Sequence, residues 1–275
     1  MTTTNLPPTV VTDHPDAPIR LADLHPVACA SLARVGGPND GGYVVPLEAV
    51  SAADALLSFG LSHNWTFERE FKQRNPRAIV HCYDHTVTLL SALQYSIGQF
   101  ARFLLRFKPR HLRQSFAWLD YLLFFRGDRV HFRQRIWSSR ENDSATAGDG
   151  FARLPNGAQV FVKIDIEGSE YRILDELLSY SGNIVALAIE FHDVDIVADR
   201  FNHLIEKFKR DFHIVHIHGN NVGGRTSFDF PIAPEMTFLS KRFFSEAPLP
   251  STAKYPSPGL DSPNYPGFPD FVFVF

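Results

Sequence analysis

Short apolar runs that end in a polar residue or a glycine recur along the chain. Ala55-Leu-Leu-Ser-Phe-Gly60 ends at a glycine and Ala78-Ile-Val-His-Cys-Tyr-Asp84 at an acid. Val160-Phe-Val-Lys-Ile-Asp165, Ile184-Val-Ala-Leu-Ala-Ile-Glu190 and Phe212-His-Ile-Val-His-Ile-His218 follow the same plan. Near-continuous apolar runs of this length predict parallel strands buried on both faces. Helical spacing predicts helices over 67–74, over 168–180 (Tyr171, Ile173, Leu174, Leu177, Leu178) and over about 194–210. A further strand is predicted over 129–137, late antiparallel strands over 235–239 and 271–275, and a helical stretch over 88–125. Residues 138–150 read as a polar loop, and the Pro-rich stretch 248–269 as an ordered surface loop. Alternating strands and helices predict one doubly wound, Rossmann-like α/β domain over residues 21–275, carrying a helical insertion at about 88–125. Residues 1–20, rich in Thr, Pro and Asp, are expected to form a flexible tail.

Composition narrows the function classes. The 275 residues suffice for one large core. A net charge of -3 argues against a nucleic-acid binder. The two cysteines, Cys29 and Cys82, supply neither a disulfide framework nor zinc spacing, so a reducing compartment is expected. With no secretory pattern and no membrane-spanning run, a cytoplasmic location is the expectation. The 25 phenylalanines point to extensive aromatic packing or an apolar surface. In the 88–125 stretch, Arg and Lys alternate with Phe and Leu. That mixture suits a membrane surface, a lipid-linked substrate or a phosphate-bearing acceptor, or else a lid packed on the domain.

Three strand ends carry the candidate chemistry: Lys163, Asp165 and Glu167; Glu190 and His192; His216 and His218 before Gly219-Asn220-Asn221. Residues two apart share one side of an extended backbone. The carboxyl ends of parallel strands lie on the edge where open α/β sheets bind ligands. Asp165, His192 and His218 are candidate general bases there. Asp165, Glu190 and His218 could instead hold a divalent metal. The plainer alternative for Glu167 and Glu170 is helix capping. Nearer the start, Gly60 and Asp84 have the separation of a glycine turn and a ribose-binding acid. Ser58-Phe-Gly-Leu-Ser-His-Asn64 holds only one glycine, which argues against NAD and FAD.

Several of these residues, in order, resemble the FkbM-type methyltransferases: Asp40-Gly-Gly-Tyr43, Ser58-Phe-Gly60 with Phe67-Glu68, Lys163-Ile-Asp-Ile-Glu-Gly-Ser-Glu170, Ile189-Glu-Phe-His192, His216-Ile-His-Gly-Asn-Asn221 and Leu260-Asp-Ser-Pro-Asn264. The resemblance runs from about residue 34 to about residue 270. It implies a class I S-adenosylmethionine-dependent fold, a seven-stranded sheet with the last strand antiparallel, and methylation of a hydroxyl oxygen on a sugar, glycan or secondary metabolite. On that resemblance Ser58 to Gly60 would approach the methionine part of the cofactor and Asp84 would hold the ribose hydroxyls. Asp40 and Tyr43 would close over the cofactor, and Asp165 would lie beside the reacting methyl group. Two features depart from the pattern: the glycine loop is poorer than usual and the basic, aromatic insertion is longer. The alternatives are a metal-dependent nucleotide-sugar glycosyltransferase and a non-catalytic interaction module of the same fold.

Overall fold

The computed structural model describes residues 7–14 and 16–275, with Arg110 and Arg113 described by backbone alone. Seven strands form the central sheet: β1 (Ala55–Phe59), β2 (Ile79–Tyr83), β3 (Arg129–Phe132), β4 (Val160–Ile164), β5 (Ile184–Glu190), β6 (Phe212–Gly219) and β7 (Pro234–Ser240). Their spatial order is β3-β2-β1-β4-β5-β7-β6. Every neighbouring pair is parallel except those made by β7, which is antiparallel to both β5 and β6. The expected fold, mostly parallel with an antiparallel last strand, is therefore the observed one. The chain winds outward in opposite directions from β1 and β4, so the switch point of the sheet lies between them.

Helices α1 (Leu47–Ala52), α2 (Thr66–Arg74), α3 (Leu89–Arg106), α4 (Pro109–Gln114), α5 (Ala117–Phe124), α6 (Ala147–Ala152), α7 (Glu170–Leu178) and α8 (Ala198–Asp211) complete the fold. The pleat divides the strand residues between two cores. Leu57, Phe59, Val162, Ile164 and Ile189 pack with Ile173 and Leu177 of α7 and Phe201 and Phe208 of α8. Leu56, Val80, Phe161 and Ala188 pack on the other face with Val50 of α1 and Phe67 and Phe71 of α2. Both faces are covered, which explains why these strands read as continuous apolar runs rather than as alternations.

The periphery differs from expectation in four places. Within the supposed tail, Thr9–Val11 forms a strand that pairs parallel with Phe271–Phe273. The latter was expected as an antiparallel strand; its ladder with Thr9–Val11 is parallel, and its antiparallel pairing is limited to a bridge between Phe273 and Tyr255. Both lie outside the central sheet. Residues 1–6 of that expected tail lie outside the described residues. The strand expected over 129–137 is broken: β3 ends at Phe132, and Arg135–Ile136 pairs instead with Ser144–Ala145. The polar loop expected at 138–150 thus holds a strand and the start of α6, which a capping box from Thr146 and Asp149 opens. The glycine-dense loop at 34–43 is the turn of a hairpin that joins Leu32–Val35 to Tyr43–Pro46.

The insertion between β2 and β3 consists of α3, α4 and α5. Trp65, at the start of α2, is buried and donates its indole N–H to Asp120 Oδ2 at 2.8 Å, while Tyr121 hydroxyl and His131 Nδ1 lie 2.7 Å apart. These contacts tie α5 to the domain.

Candidate functional site

Strand register sets the site. Phe59 stands opposite both Tyr83 and Ile164, and Ile164 opposite Ile189. One residue further on, Asp84, Gly60, Asp165 and Glu190 therefore emerge at the same level on adjacent strands. Glu190 stands opposite Glu235 of β7, and Glu235 opposite His218 of β6. One row across the carboxyl edge of the sheet thus carries most of the residues singled out by sequence.

The switch point is built around Gly60. Its φ is +85°, and a Cβ there would lie 1.6 Å from the Asp165 carbonyl oxygen, so only glycine fits. Lys163, almost fully buried, donates to the Gly60 carbonyl at 2.8 Å and lies 3.8 Å from both Glu68 Oε1 and Asp165 Oδ2. Burial opposes its charge, but Glu68 and Asp165 raise its pKa above the usual lysine value, so it stays an ammonium. Glu68 is fully buried and accepts from the Ser58 hydroxyl at 2.6 Å, and burial pushes its pKa up. Ser58 accordingly braces the floor of the crevice beneath Gly60.

Asp84 organises the turn that follows. Its Oδ2 accepts from the amides of Leu61 and Ser62 at 2.9 and 2.8 Å. Its Oδ1 accepts from the Thr86 amide and hydroxyl, both at 2.6 Å, and from the Val87 amide at 3.3 Å. Burial alone would raise its pKa, but the hydrogen bonds from Thr86, Ser62 and Leu61 outweigh that and lower it. A carboxylate offers about four lone-pair sites, and here all of them face protein donors. In this arrangement Asp84 shapes the loop that a ribose would meet.

The acidic wall stands on the other side of the switch point. The Tyr43 hydroxyl donates to Asp165 Oδ2 at 3.2 Å and lies 3.5 Å from Glu190 Oε2. Asn220 Nδ2 donates to Glu190 Oε1 at 2.7 Å. Burial, then Asp165 and Glu235, push Glu190 well above the usual carboxylate range. Tyr43 is driven up by burial and the same acids, and remains a phenol. Asp40 is exposed at the hairpin turn, and its pKa is raised by desolvation and by Asp165 and Glu235. The side chain of Asp165 retains 24% exposure, which leaves it open to a ligand.

His192 joins this group. Asp165, Glu190 and His192 each place a donor atom within 4.8 Å of the others. His192 Nδ1 lies 3.0 Å from Glu170 Oε1, which also accepts from the Ile166 and Gly168 amides. Glu170 thus binds the loop ahead of α7 and holds the imidazole as well. Glu167 is mostly exposed, with its Oε2 3.5 Å from His192 Nε2. Burial disfavours the imidazolium, but the Glu170 hydrogen bond and the charges of Glu170, Glu190 and Asp165 raise His192 to about 9. At neutral pH it is a cation and holds no free base. The linkage has a definite sign: a raised histidine pKa contributes stability that is full below about 6.5 and is lost as pH rises through about 9. The shift corresponds to roughly 3 kcal/mol. Wild-type protein should lose thermal stability between neutral and strongly alkaline pH, and His192→Gln should lose less; parallel melting curves over that range measure this directly.

His218 does not belong to the Asp165 and Glu190 group. Its Nδ1 is 3.0 Å from Glu235 Oε2 and its Nε2 is 3.1 Å from Asp270 Oδ1, both ring nitrogens being taken. Burial opposes its charge, but these two carboxylates raise its pKa well above the usual value. The metal set expected as Asp165, Glu190 and His218 is corrected accordingly: the imidazole placed beside the two acids is His192. The general-base expectation for His192 and His218 meets two imidazolium ions, whereas the Asp165 carboxyl is partly exposed and open to an acceptor. His216 faces Asp261 at 3.1 Å. Sequence reasoning missed Glu235, Asn220 and Asn264 as participants. Asn264 donates to Glu235 Oε1 at 2.7 Å. The signal was available, because Asp261 and Asn264 belong to the Leu260-Asp-Ser-Pro-Asn264 stretch.

The row can receive a cation. Asp40 and Glu190 are each electrostatically coupled to Asp165 at the carboxyl edge of the sheet, and a sulfonium or ammonium there would be drawn to them. In the turn itself the buried His63 Nε2 makes no hydrogen bond, while its ring stacks on Tyr95 of α3 at 4.8 Å. For a divalent metal the donor types also fit, two carboxylates and an imidazole whose other nitrogen is held by a buried acid, with the ion displacing the His192 proton as it binds.

No family model and no curated protein matches the chain. Among solved structures, fibrillarin from Aeropyrum pernix with natively bound S-adenosyl-L-methionine is similar at 11% identity and a TM-score of 0.35, over 70% of this chain and 68% of that one. The precorrin-6y C5,15-methyltransferase from Geobacter metallireducens is 12% identical over 71% of this chain and 86% of its own, with a TM-score of 0.34. The mitomycin 7-O-methyltransferase MmcR is 9% identical, covering 70% and 53%, with a TM-score of 0.30. Likenesses this remote carry no argument about chemistry, which rests on the residues of the row.

Proposed function

We propose that the protein is an S-adenosylmethionine-dependent O-methyltransferase of FkbM type, acting on a hydroxyl of a sugar, glycan or secondary metabolite. The observation that carries this reading is the convergence of Asp165, Glu190 and Asp40 on the switch point beside Gly60. The cofactor would supply an electrophilic methyl group on a positively charged sulfur. The chain's own residues do the rest. Gly60 and the Asp84-braced turn would receive its methionine and ribose parts. The acids favour a cation at this edge of the sheet, and Tyr43 orients Asp165 by hydrogen bonding. A hydroxyl is a weak nucleophile until its proton is removed. Asp165, partly exposed at the strand end, takes that proton, while His192 as a cation offsets the surrounding carboxylates.

Isothermal titration calorimetry with S-adenosylmethionine and S-adenosylhomocysteine tests the reading. Binding at micromolar affinity or better, about -8 kcal/mol, is expected for both, and nucleotide-sugars should not bind. Binding of nucleotide-sugars alone would replace the reading with the glycosyltransferase. A second reading has its own support in the Asp165, Glu190 and His192 geometry: a divalent cation held there would acidify the acceptor hydroxyl. Turnover that survives chelation assigns the proton to Asp165 alone, whereas turnover lost to chelation and restored by magnesium or manganese assigns it to the cation.

A further inference from the structure

Helix α3 is inside out. Its buried positions are Ala92, Ser96 and Gln99. The Ser96 hydroxyl donates to the Ala92 carbonyl at 2.8 Å and accepts from the Trp118 amide at 3.2 Å, and Gln99 Oε1 lies 2.8 Å from His111 Nδ1. The large apolar side chains face outward instead. Leu90, Leu93, Ile97, Phe100 and Leu104 are spaced three and four apart, which places them on one stripe. All five are exposed, Leu90 at 64% and Ile97 at 62%. Beside the stripe, Leu105 in the last turn and Phe107 at the helix end are more exposed still. A helix that buries its polar stripe and presents its leucines is arranged for an apolar medium on its outer side.

Charge identifies that medium. Residues 88–126 carry six basic residues, Arg102, Arg106, Lys108, Arg110, Arg113 and Arg126, against a single acid, Asp120. Asp120 is itself neutralised by Arg69. The chain as a whole is acidic, with a net charge of -3. A segment that reverses the sign of its own protein and exposes an apolar stripe matches a surface both anionic and oily. Among the described residues no helix is long and apolar enough to cross a membrane, so the matching geometry is a helix lying in the interface.

We infer that the α3–α5 insertion docks the protein on an anionic bilayer surface, with the Leu90 to Leu104 stripe entering the headgroup boundary. The insertion begins just after Asp84, and Tyr95 of α3 stacks on His63 of the turn beside Gly60. Docking therefore brings the carboxyl edge of the sheet close to the lipid surface. The inference stands independently of methyl transfer.

Co-sedimentation with vesicles of equimolar phosphatidylglycerol and phosphatidylcholine, against phosphatidylcholine alone, tests it. The anionic vesicles should capture the protein at least about ten-fold more strongly, with the excess removed by salt. Leu90→Glu/Ile97→Glu/Leu104→Glu changes only exposed positions and should reduce capture about ten-fold with an unchanged melting temperature. Equal capture of wild type and variant, or no capture of wild type, overturns the inference. So does light scattering that shows a dimer which the variant dissociates while vesicles are ignored, because the stripe would then be covered by a second copy. Cofactor calorimetry on the same variant keeps this result separate from the reading of the crevice.

Discussion

On the proposed reading, Asp165→Asn is expected to lower methyl-transfer turnover by about 10²–10⁴-fold while leaving affinity for S-adenosylhomocysteine, which lacks the sulfonium charge, nearly unchanged. The substitution keeps the shape of the side chain, and the Tyr43 hydroxyl can still donate to the amide oxygen in place of Asp165 Oδ2. What disappears is the capacity to accept a proton. Neither neighbouring imidazole can substitute. His192 is raised to about 9 and His218 is held between Glu235 and Asp270, so each already carries its proton at neutral pH. Single-turnover kinetics beside calorimetry separates the two effects. Unchanged turnover would remove Asp165 from the chemistry, and a parallel loss of cofactor binding would make it a binding group.

Lys163→Met is expected to destabilise the fold by about 3–5 kcal/mol, because it strips the partner from a buried carboxylate. Lys163 is 3% exposed and Glu68 fully buried, so solvent cannot replace the lost ammonium. One oxygen of Glu68 already lacks a hydrogen-bond partner. The Gly60 carbonyl would lose its donor as well. Removing both charges should recover much of the loss, since an apolar replacement of a buried pair is often neutral. Urea unfolding of Lys163→Met and of Lys163→Met/Glu68→Leu measures this. A single variant that costs less than about 1 kcal/mol, the scale of an exposed pair, would show that the pair does not brace the switch point.

The strands of the central sheet were legible because parallel strands covered on both faces are mostly apolar, as Val160–Ile164 and Ile184–Glu190 are apart from Lys163 and Glu190. The row of acids was legible because the runs ending at Asp84, Asp165 and Glu190 each close on a carboxylate. What the sequence concealed was partnership between distant segments. His218 and His192 look alike in the chain, and only the positions of Glu235, Asp270 and Glu170 separate a clamped imidazolium from one beside the crevice. Asp84 stands at the separation from Gly60 of a ribose-binding acid, but the sequence does not show that the amides of Leu61, Ser62, Thr86 and Val87 surround it, because that follows from the turn's conformation. The strand at 271–273 was read with the wrong direction because its partner, Thr9–Val11, carries no pattern of its own.

That pairing has a consequence for the far side of the crevice. Phe271 packs against Gly219, where a Cβ would lie 2.7 Å from the ring, and Asp270 just before it holds His218. Three rungs secure the clasp, and it stands apart from the seven-stranded sheet, so it should open at lower free energy than the strands behind it. Asp270 directly precedes the first rung, so opening is expected to loosen one of the two carboxylates that hold the buried imidazolium. A change at residues 9–11 that weakens the ladder is therefore expected to lower the pKa of His218, a shift that histidine NMR titration would read.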